Sequence, residues 1–184
     1  RNSLLIGIPP HNTGLYGLDP LFRDVDGLKD LVALPQLFRE NGYACPGIGK
    51  IYHTKPDPES FDKFHGWFGA FGPFPDDPIH LDADLPVYPY YDWGPFLDAP
   101  ETADFQVAQT AARLIRKAAE DGTPFFVSAG FFRPHCPLYA PQPWFERHPV
   151  DGIEAVEDQS ADVEDLPPYA LKLVNYPGRH QYSR

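Results

Sequence analysis

Methionine is absent from this 184-residue sequence, and cysteine occurs only twice. Because a primary translation product begins with methionine, we expect the chain to be a processed product or an internal fragment, in which a signal peptide cannot be judged. Two cysteines, Cys45 and Cys136, are too few to define a disulfide framework. No apolar run approaches the length that a transmembrane helix requires, so the sequence predicts no membrane span.

Positive charge is also scarce. Lysine and arginine number 15 against 26 aspartates and glutamates, which gives a formal net charge of −11 and an isoelectric point of about 4.9. Most of the surface should therefore repel a phosphate backbone, which makes nucleic acid and anionic membranes poor partners. A small anionic substrate can bind only where cations are gathered locally.

Hydrophobic residues make up 42% of the chain and aromatic residues 15%, enough to bury a core in one domain or in part of a larger one. Proline (23) and glycine (15) are abundant, which indicates long ordered loops around that core. Residues 54–101 lack a sustained period, so we predict a long loop or insertion there. Its aromatic side chains fit either packing onto the core or the lining of a carbohydrate-sized cleft.

Apolar periodicity predicts several helices. The clearest covers about residues 104–121, where apolar side chains recur on one face and Gly122 follows the end. In a second helix, Leu34, Leu37 and Phe38 form an apolar stripe. The shorter predicted helices cover residues 1–6, 34–41 and 143–147.

Two short strands each run into a loop with basic side chains. The strands cover residues 43–48 and 124–130, and a helical pattern precedes each, so both are predicted to be parallel members of one α/β sheet. Their carboxyl ends then lie on the same edge, where open α/β sheets bind ligands. We therefore expect the basic residues of the two loops to converge around an anion: Lys50, His53, Arg133 and His135.

Each of these residues also fits a structural role. Lysine supplies a compact charge and histidine donates a hydrogen bond or moves a proton, yet Lys50 and His53 alone equally fit a surface lysine beside a packing histidine. Prolines on both sides give His135 a defined direction without proving a function. Arg133 fits a salt-bridge partner better than a ligand group. Cys136 fits a small buried thiol better than a nucleophile.

The sequence offers little for a metal or a nucleotide. Carboxylates at Asp76, Asp77, Asp82 and Asp84 are hard oxygen ligands, but their acidic, proline-rich surroundings favour a solvated face. The seven histidines show no close zinc spacing. No nucleophile-elbow, phosphate-loop or dinucleotide-binding fingerprint is present.

Taken in order, several segments resemble the sulfatases of the alkaline-phosphatase-like superfamily, most closely the iduronate-2-sulfatase-like branch. They continue the family's Cys/Ser-x-Pro-Ser-Arg signature, match its second signature, and match the strand and loop that bear its sulfate-contacting histidine. The segments are residues 1–7 with 13–16, 34–43 running into 49–53, 92–95, 124–138 and 166–169. The resemblance implies that residues 1–184 are a partial catalytic domain of α/β class. It would be part of an alkaline-phosphatase-like sandwich, with a mostly parallel sheet flanked by helices, incomplete at both ends.

The resemblance also implies roles for four residues. In such sulfatases the nucleophile is a formylglycine made from the signature's cysteine or serine, and a divalent cation, usually calcium, polarises the sulfate oxygens. Carried over, Arg1 would stabilise the formylglycine and Lys50 would bridge it to the sulfate. His53 would hydrogen-bond its hydroxyl, and His135 would contact the sulfate or the leaving oxygen. Fixed cations lower the barrier because the reaction gathers negative charge on oxygen atoms.

The same resemblance puts the nucleophile upstream of Arg1 and the metal ligands outside this chain, so we expect the chain alone to be inactive. The expected parent is a sulfuric ester hydrolase that acts on a small-molecule or glycan sulfate ester in a secreted, periplasmic or lysosomal location. The alternatives are a phosphomonoesterase or phosphonate hydrolase of the same superfamily, or a carbohydrate-binding or degenerate homologue without activity.

Overall fold

The computed structural model describes residues 1–68, 71–80, 92–96, 102–154 and 165–174. By its internal contacts the chain divides into two units, Arg1–Arg147 and His148–Arg184. The described elements of the first unit, in chain order, are α1 (Asn2–Ile6), α2 (Pro10–Thr13), a 3-10 turn (Phe22–Asp24), α3 (Leu34–Glu40), β1 (Pro46–Gly49), β2 (Lys63–Phe64), β3 (Trp93–Phe96), α4 (Ala103–Glu120), β4 (Ser128–Gly130), β5 (Leu138–Pro141) and α5 (Gln142–Glu146). The second unit contains a 3-10 turn at Val150–Gly152 and helix α6 (Pro168–Val174). No helix in the described ranges is long and apolar enough to cross a membrane.

Strand β1 is the centre of a three-stranded parallel sheet with the order β2-β1-β4. The register pairs Gly47 with Ser128 and Gly49 with Gly130, and a bridge between Ala44 and Phe125 extends the pairing towards the start of both strands. Helix α4 packs against β1 and β4. The prediction that the two strands are parallel members of one sheet, with their carboxyl ends on one edge, is therefore confirmed, and the structure shows in addition that they are neighbours. The mixed helix-and-strand architecture is that of an α/β protein.

Two glycines let β1 and β4 approach closely at that edge. Gly49 has a φ of 69°, and a Cβ there would overlap the Gly130 carbonyl and lie 2.7 Å from the Val107 side chain. A Cβ on Gly130 would overlap the carbonyl group of Lys50 and lie 2.7 Å from the Ile51 nitrogen. The close approach allows a hydrogen bond between the strands, in which the Lys50 amide donates to the Gly130 carbonyl oxygen over 2.7 Å. The loops that follow the two strands thus start from one point.

A second, two-stranded parallel sheet pairs β3 with β5. The buried carboxylate of Asp92 holds it, since it accepts hydrogen bonds from the backbone amides of Ile79, His80 and Trp93 and from the Tyr139 hydroxyl. Burial alone would raise the pKa of Asp92, but these four hydrogen bonds outweigh it and lower the pKa. Residues 54–101, expected as a long loop, therefore contain the short strands β2 and β3 as well.

The predicted helices are present, with bounds that differ by one or two residues. Helix α4 begins after Thr102, whose hydroxyl accepts from the Phe105 amide, and this cap fixes the start. The apolar stripe on α3 does not coincide with its buried face, because Leu34 and Leu37 are exposed. The face of α3 that is buried carries Gln36, whose amide group bonds the Arg23 guanidinium and Glu40.

Aromatic rings form much of the interior of the first unit. A hydrophobic cluster gathers Leu5 of α1 with the buried rings of Phe22, Tyr52 and Phe61. From there, ring contacts with centroids 5.2–6.4 Å apart continue towards the loop after β4. The rings in this series are Phe22, Tyr52, Phe61, Phe64, Trp67, Phe132 and Phe71. The core thus connects the loops after β1 and β4.

We expect Gly130→Ala to lower the free energy of unfolding by about 3 kcal/mol, because the added methyl group meets backbone atoms that cannot move aside. Gly122→Ala is the matched control: its φ of 65° is strained for alanine, but no atom lies within 4 Å of the new Cβ. Strain alone should cost about 1 kcal/mol. Urea denaturation measures both changes. Equal destabilisation by the two variants would contradict the close approach of the strands.

Candidate active site

A cleft of about 350 Å³ opens at the edge where β1 and β4 end. The start of α1, residues 15–18 and the loops after β1 and β4 surround it. Five of the described lining residues are basic, and none is a carboxylate. The basic ones are Arg1, Lys50, His53, Lys55 and His135. In a chain with a net charge of −11, this is a local concentration of positive charge.

The structure brings together all four residues that the resemblance singled out, because Arg1, Lys50, His53 and His135 line the same cleft. Their catalytic roles stay predictions. Arg133 is not among the lining residues, so its expected convergence with the others is wrong. Its guanidinium donates instead to the carbonyl oxygens of Tyr139 (3.1 Å), His135 (3.1 Å) and Phe71.

Arg1 is bound to the loop after β1. Its guanidinium donates to the carbonyl oxygens of Lys50 and, over 3.4 Å, Tyr52. These acceptors are neutral, so the contacts orient the guanidinium without cancelling its charge. The start of α1 and the Lys50 backbone are thereby held at the same side of the cleft.

Lys50 is a buried cation, with 6% of its surface exposed. Its Nζ lies 4.7 Å from the ring centroid of Phe71 and 5.6 Å from that of Phe132. Burial, and then the positive charge of Arg1, lower the pKa of Lys50. No carboxylate forms a salt bridge with this ammonium in the part of the chain that the structure describes. Its charge is therefore available to an anion in the cleft.

The two histidines of the cleft differ in their surroundings. Nδ1 of His53 is buried and has no hydrogen-bond partner among the described residues. A buried polar nitrogen without a partner is uncommon, and this atom is closed to solvent although the cleft itself is open. Nδ1 of His135 lies 2.8 Å from the Cys136 carbonyl oxygen. Because a carbonyl oxygen only accepts, Nδ1 carries the proton, and Nε2 is the acceptor nitrogen of the neutral ring.

A buried polar network supports the Tyr52 side of the cleft. No sequence pattern predicted this network. The Tyr52 hydroxyl lies 3.0 Å from the Ser60 hydroxyl, which donates to Asp57 over 2.6 Å. Asp57 in turn forms a two-bond ion pair with Arg23, at 2.9 and 3.2 Å. Burial is the main cause that raises the pKa of Tyr52 to about 12, so its hydroxyl stays protonated and serves as a fixed strut next to His53.

The other candidate residues lie outside this arrangement. Cys45 is buried and Cys136 half-buried, and both are free thiols. Asp82 and Asp84 fall outside the described residues. Within the described ranges, no three histidine, cysteine, aspartate or glutamate side chains come together in a group that could hold a metal ion. The basic residues of the cleft can bind a small anion, and the histidines among them can exchange a proton with it.

Comparison with known proteins places the sequence of this chain in a family. The family model described as Sulfatase matches residues 1–171. A protein named Sulfatase from Formosa agariphila is 34% identical over 190 aligned residues, which cover 96% of this chain and 37% of that protein. Iduronate 2-sulfatase from Homo sapiens is 28% identical and covers 92% of this chain and 32% of its own length, and the same figures hold for the Mus musculus protein.

This chain therefore spans only about a third of the length of the relatives that it matches. The match nevertheless runs through every segment that builds the cleft, from α1 to the loop after β4. Since the family model matches nearly all of the sequence, and one relative exceeds 30% identity over most of it, the chain belongs to the sulfatase family.

Proposed function

We propose that this chain supplies part of the catalytic site of a sulfuric ester hydrolase, in which the basic cleft holds the sulfate group. The observation that carries the proposal is the Lys50 ammonium, which forms no salt bridge with a described residue and lies against aromatic rings in a cleft whose described lining has no carboxylate. Family membership and the names of the relatives support the same reaction class.

The proposed chemistry assigns each residue a step. A hydroxyl of the nucleophile loses its proton to solvent and attacks sulfur, the ester S–O bond breaks, and the leaving oxygen takes up a proton. The second hydroxyl of the nucleophile then loses its proton, the C–O bond to the bound sulfate breaks, and free sulfate is released. Arg1 and Lys50 stabilise the negative charge that grows on oxygen atoms, which is worth most in a water-poor site. The His53 side chain hydrogen-bonds the nucleophile's hydroxyl. His135, when protonated at Nε2, gives the proton to the leaving oxygen.

Two further components belong to the proposed parent protein. A formylglycine before Arg1 would supply the nucleophilic hydroxyl. A calcium ion would need oxygen ligands, and the described residues contain no cluster that fits it, so no step here runs through a metal. We further propose that the parent works outside the cytoplasm and acts on a sulfated glycan. Relatives whose name refers to iduronate, a sugar acid, support the glycan substrate.

We expect Lys50→Ala and His135→Ala, introduced into the complete protein that contains this chain, each to lower kcat/KM for a chromogenic aryl sulfate by about 10²- to 10³-fold. Lys29→Ala is the matched control, because Lys29 is an exposed lysine paired with Asp26 outside the cleft. Turnover of the aryl phosphate in preference to the sulfate would replace this proposal with a phosphomonoesterase. Wild-type activity in Lys50→Ala would refute the proposed role of the cleft.

The 184-residue chain by itself is expected to leave the same aryl sulfate unhydrolysed, because the proposed nucleophile lies outside it. A purified preparation and a sensitive absorbance assay suffice for the measurement. Turnover that disappears with His135→Ala would show that the chain carries its own nucleophile, and it would overturn the assignment to a formylglycine upstream.

Lys50 should also limit stability. The pKa of Lys50 is lowered in the folded state, so the unfolded chain binds this proton more tightly. Below the folded pKa, the protonated lysine therefore lowers the free energy of unfolding. This penalty fades as the pH rises from the folded pKa towards 10.5, the ordinary value for lysine. We therefore expect Lys50→Met to be at least as stable as the wild type at neutral pH. Its advantage should shrink in urea denaturation at alkaline pH. A variant less stable than the wild type at neutral pH would contradict the penalty.

A further inference from the structure

The Phe71 ring contacts both of the residues to which the proposed function assigns sulfate contact. Its centroid lies 4.7 Å from the Lys50 Nζ and 4.7 Å from the centroid of the His135 imidazole, which is tilted by 37°. Neither the resemblance nor the periodicity of residues 54–101 pointed to this side chain. A single ring thus joins the loop after β1 to the loop after β4.

Phe71 is held in place from two sides. Phe132, which is buried, packs against its ring edge-to-face with centroids 5.2 Å apart. The Arg133 guanidinium donates to the Phe71 carbonyl oxygen and, through other nitrogens, to the carbonyl oxygens of His135 and Tyr139. The loop of Arg133 is itself anchored, because the amides of Phe132 and Arg133 donate to the Asp104 carboxylate over 2.7 and 3.0 Å.

An aromatic ring can orient an ammonium in a way that a carboxylate cannot. The face of the ring attracts the cation through its quadrupole, but it carries no net charge. A carboxylate at the same place would neutralise Lys50 and compete with the substrate anion. Two rings near Nζ therefore restrict a flexible side chain and keep water away, while the positive charge stays available.

We propose that Phe71 is a positioning residue of the anion site, which orients Lys50 and His135 towards the sulfate, and that Arg133 fixes Phe71 in that place. The inference rests on the proposed function for the identity of the anion. It adds a determinant of affinity from a stretch of the chain whose role was open.

Calorimetric titration of the complete protein with inorganic sulfate tests the proposal. Phe71→Leu keeps an apolar side chain but removes the ring face, and it should weaken sulfate binding about tenfold, the effect of losing a largely desolvated cation–π contact. Phe71→Tyr keeps the ring and should restore nearly wild-type affinity. Phe74→Leu is the matched control, because the ring of this exposed phenylalanine packs against Tyr139, whereas the Phe71 ring contacts Lys50 and His135.

A double variant separates positioning from general loss of structure. Unfolded molecules lower the number of binding sites but leave the dissociation constant of the folded ones unchanged. If Phe71 acts through Lys50, then Phe71→Leu should add little to the loss already caused by Lys50→Ala. Arg133→Gln should weaken sulfate binding in the same direction as Phe71→Leu, and it serves as the second test if Phe71→Leu does not fold.

Each outcome decides one proposal without the other. Unchanged sulfate affinity in Phe71→Leu, or in Arg133→Gln where Phe71→Leu does not fold, overturns the positioning role. So does a full additional loss in the double variant. A protein that binds sulfate in a Phe71-dependent manner but hydrolyses no sulfate ester keeps the positioning role and loses the proposed function. Turnover that depends on Lys50 but not on Phe71 supports the proposed function and overturns the positioning role.

Discussion

The contact between Gly49 and Gly130 is the constraint on which the cleft depends. Parallel strands bring their carboxyl ends to one edge, but side chains at those ends would keep the following loops apart. Here neither residue has a Cβ, and the Lys50 amide bonds directly to the Gly130 carbonyl oxygen. The lysine of one loop and the histidine of the other, 85 positions apart in the sequence, therefore start from neighbouring backbone. Larger residues at either position would separate the two halves of the site.

The cleft differs in charge from the rest of the chain, as the binding of an anion requires. The chain is strongly acidic, yet the described lining of the cleft has five basic residues and no carboxylate. Most exposed lysines could find an acidic partner, as Lys55 does with Asp24 at 2.8 Å. Lys50 instead lies among aromatic rings, where its burial costs stability and lowers its pKa. Accepting that cost makes physical sense if an anion completes the site.

Sequence reasoning reached the parts of the structure that local patterns determine. Helix α4 has a clear apolar face, and the helix–strand alternation predicted that β1 and β4 lie parallel in one sheet. The meeting of Lys50, His53 and His135 followed from that, but the same reasoning wrongly included Arg133. The β3–β5 sheet was not predicted, because it depends on Asp92 collecting donors from residues up to 47 positions away. Gln36 was missed for a similar reason: a polar residue can face the core when a distant arginine, Arg23, bonds it. Contacts between polar residues that are distant in the sequence do not appear in its hydrophobic periodicity.

Arginine and lysine divide the work around the cleft according to their chemistry. Arg133 connects three carbonyl oxygens, Arg23 pairs with Asp57 through two nitrogens, and Arg1 bonds two carbonyl oxygens. A planar guanidinium with five donors suits such multiple fixed contacts. Lys50 carries a compact charge on a flexible stem, which cannot hold several backbone segments but can approach an anion closely once rings restrict it. The three arginines hold the backbone segments around the site in place. Of these three, only Arg1 also lines the cleft. The loss of Arg133 should therefore disturb anion binding by shifting Phe71 and His135 rather than by removing a charge from the cleft.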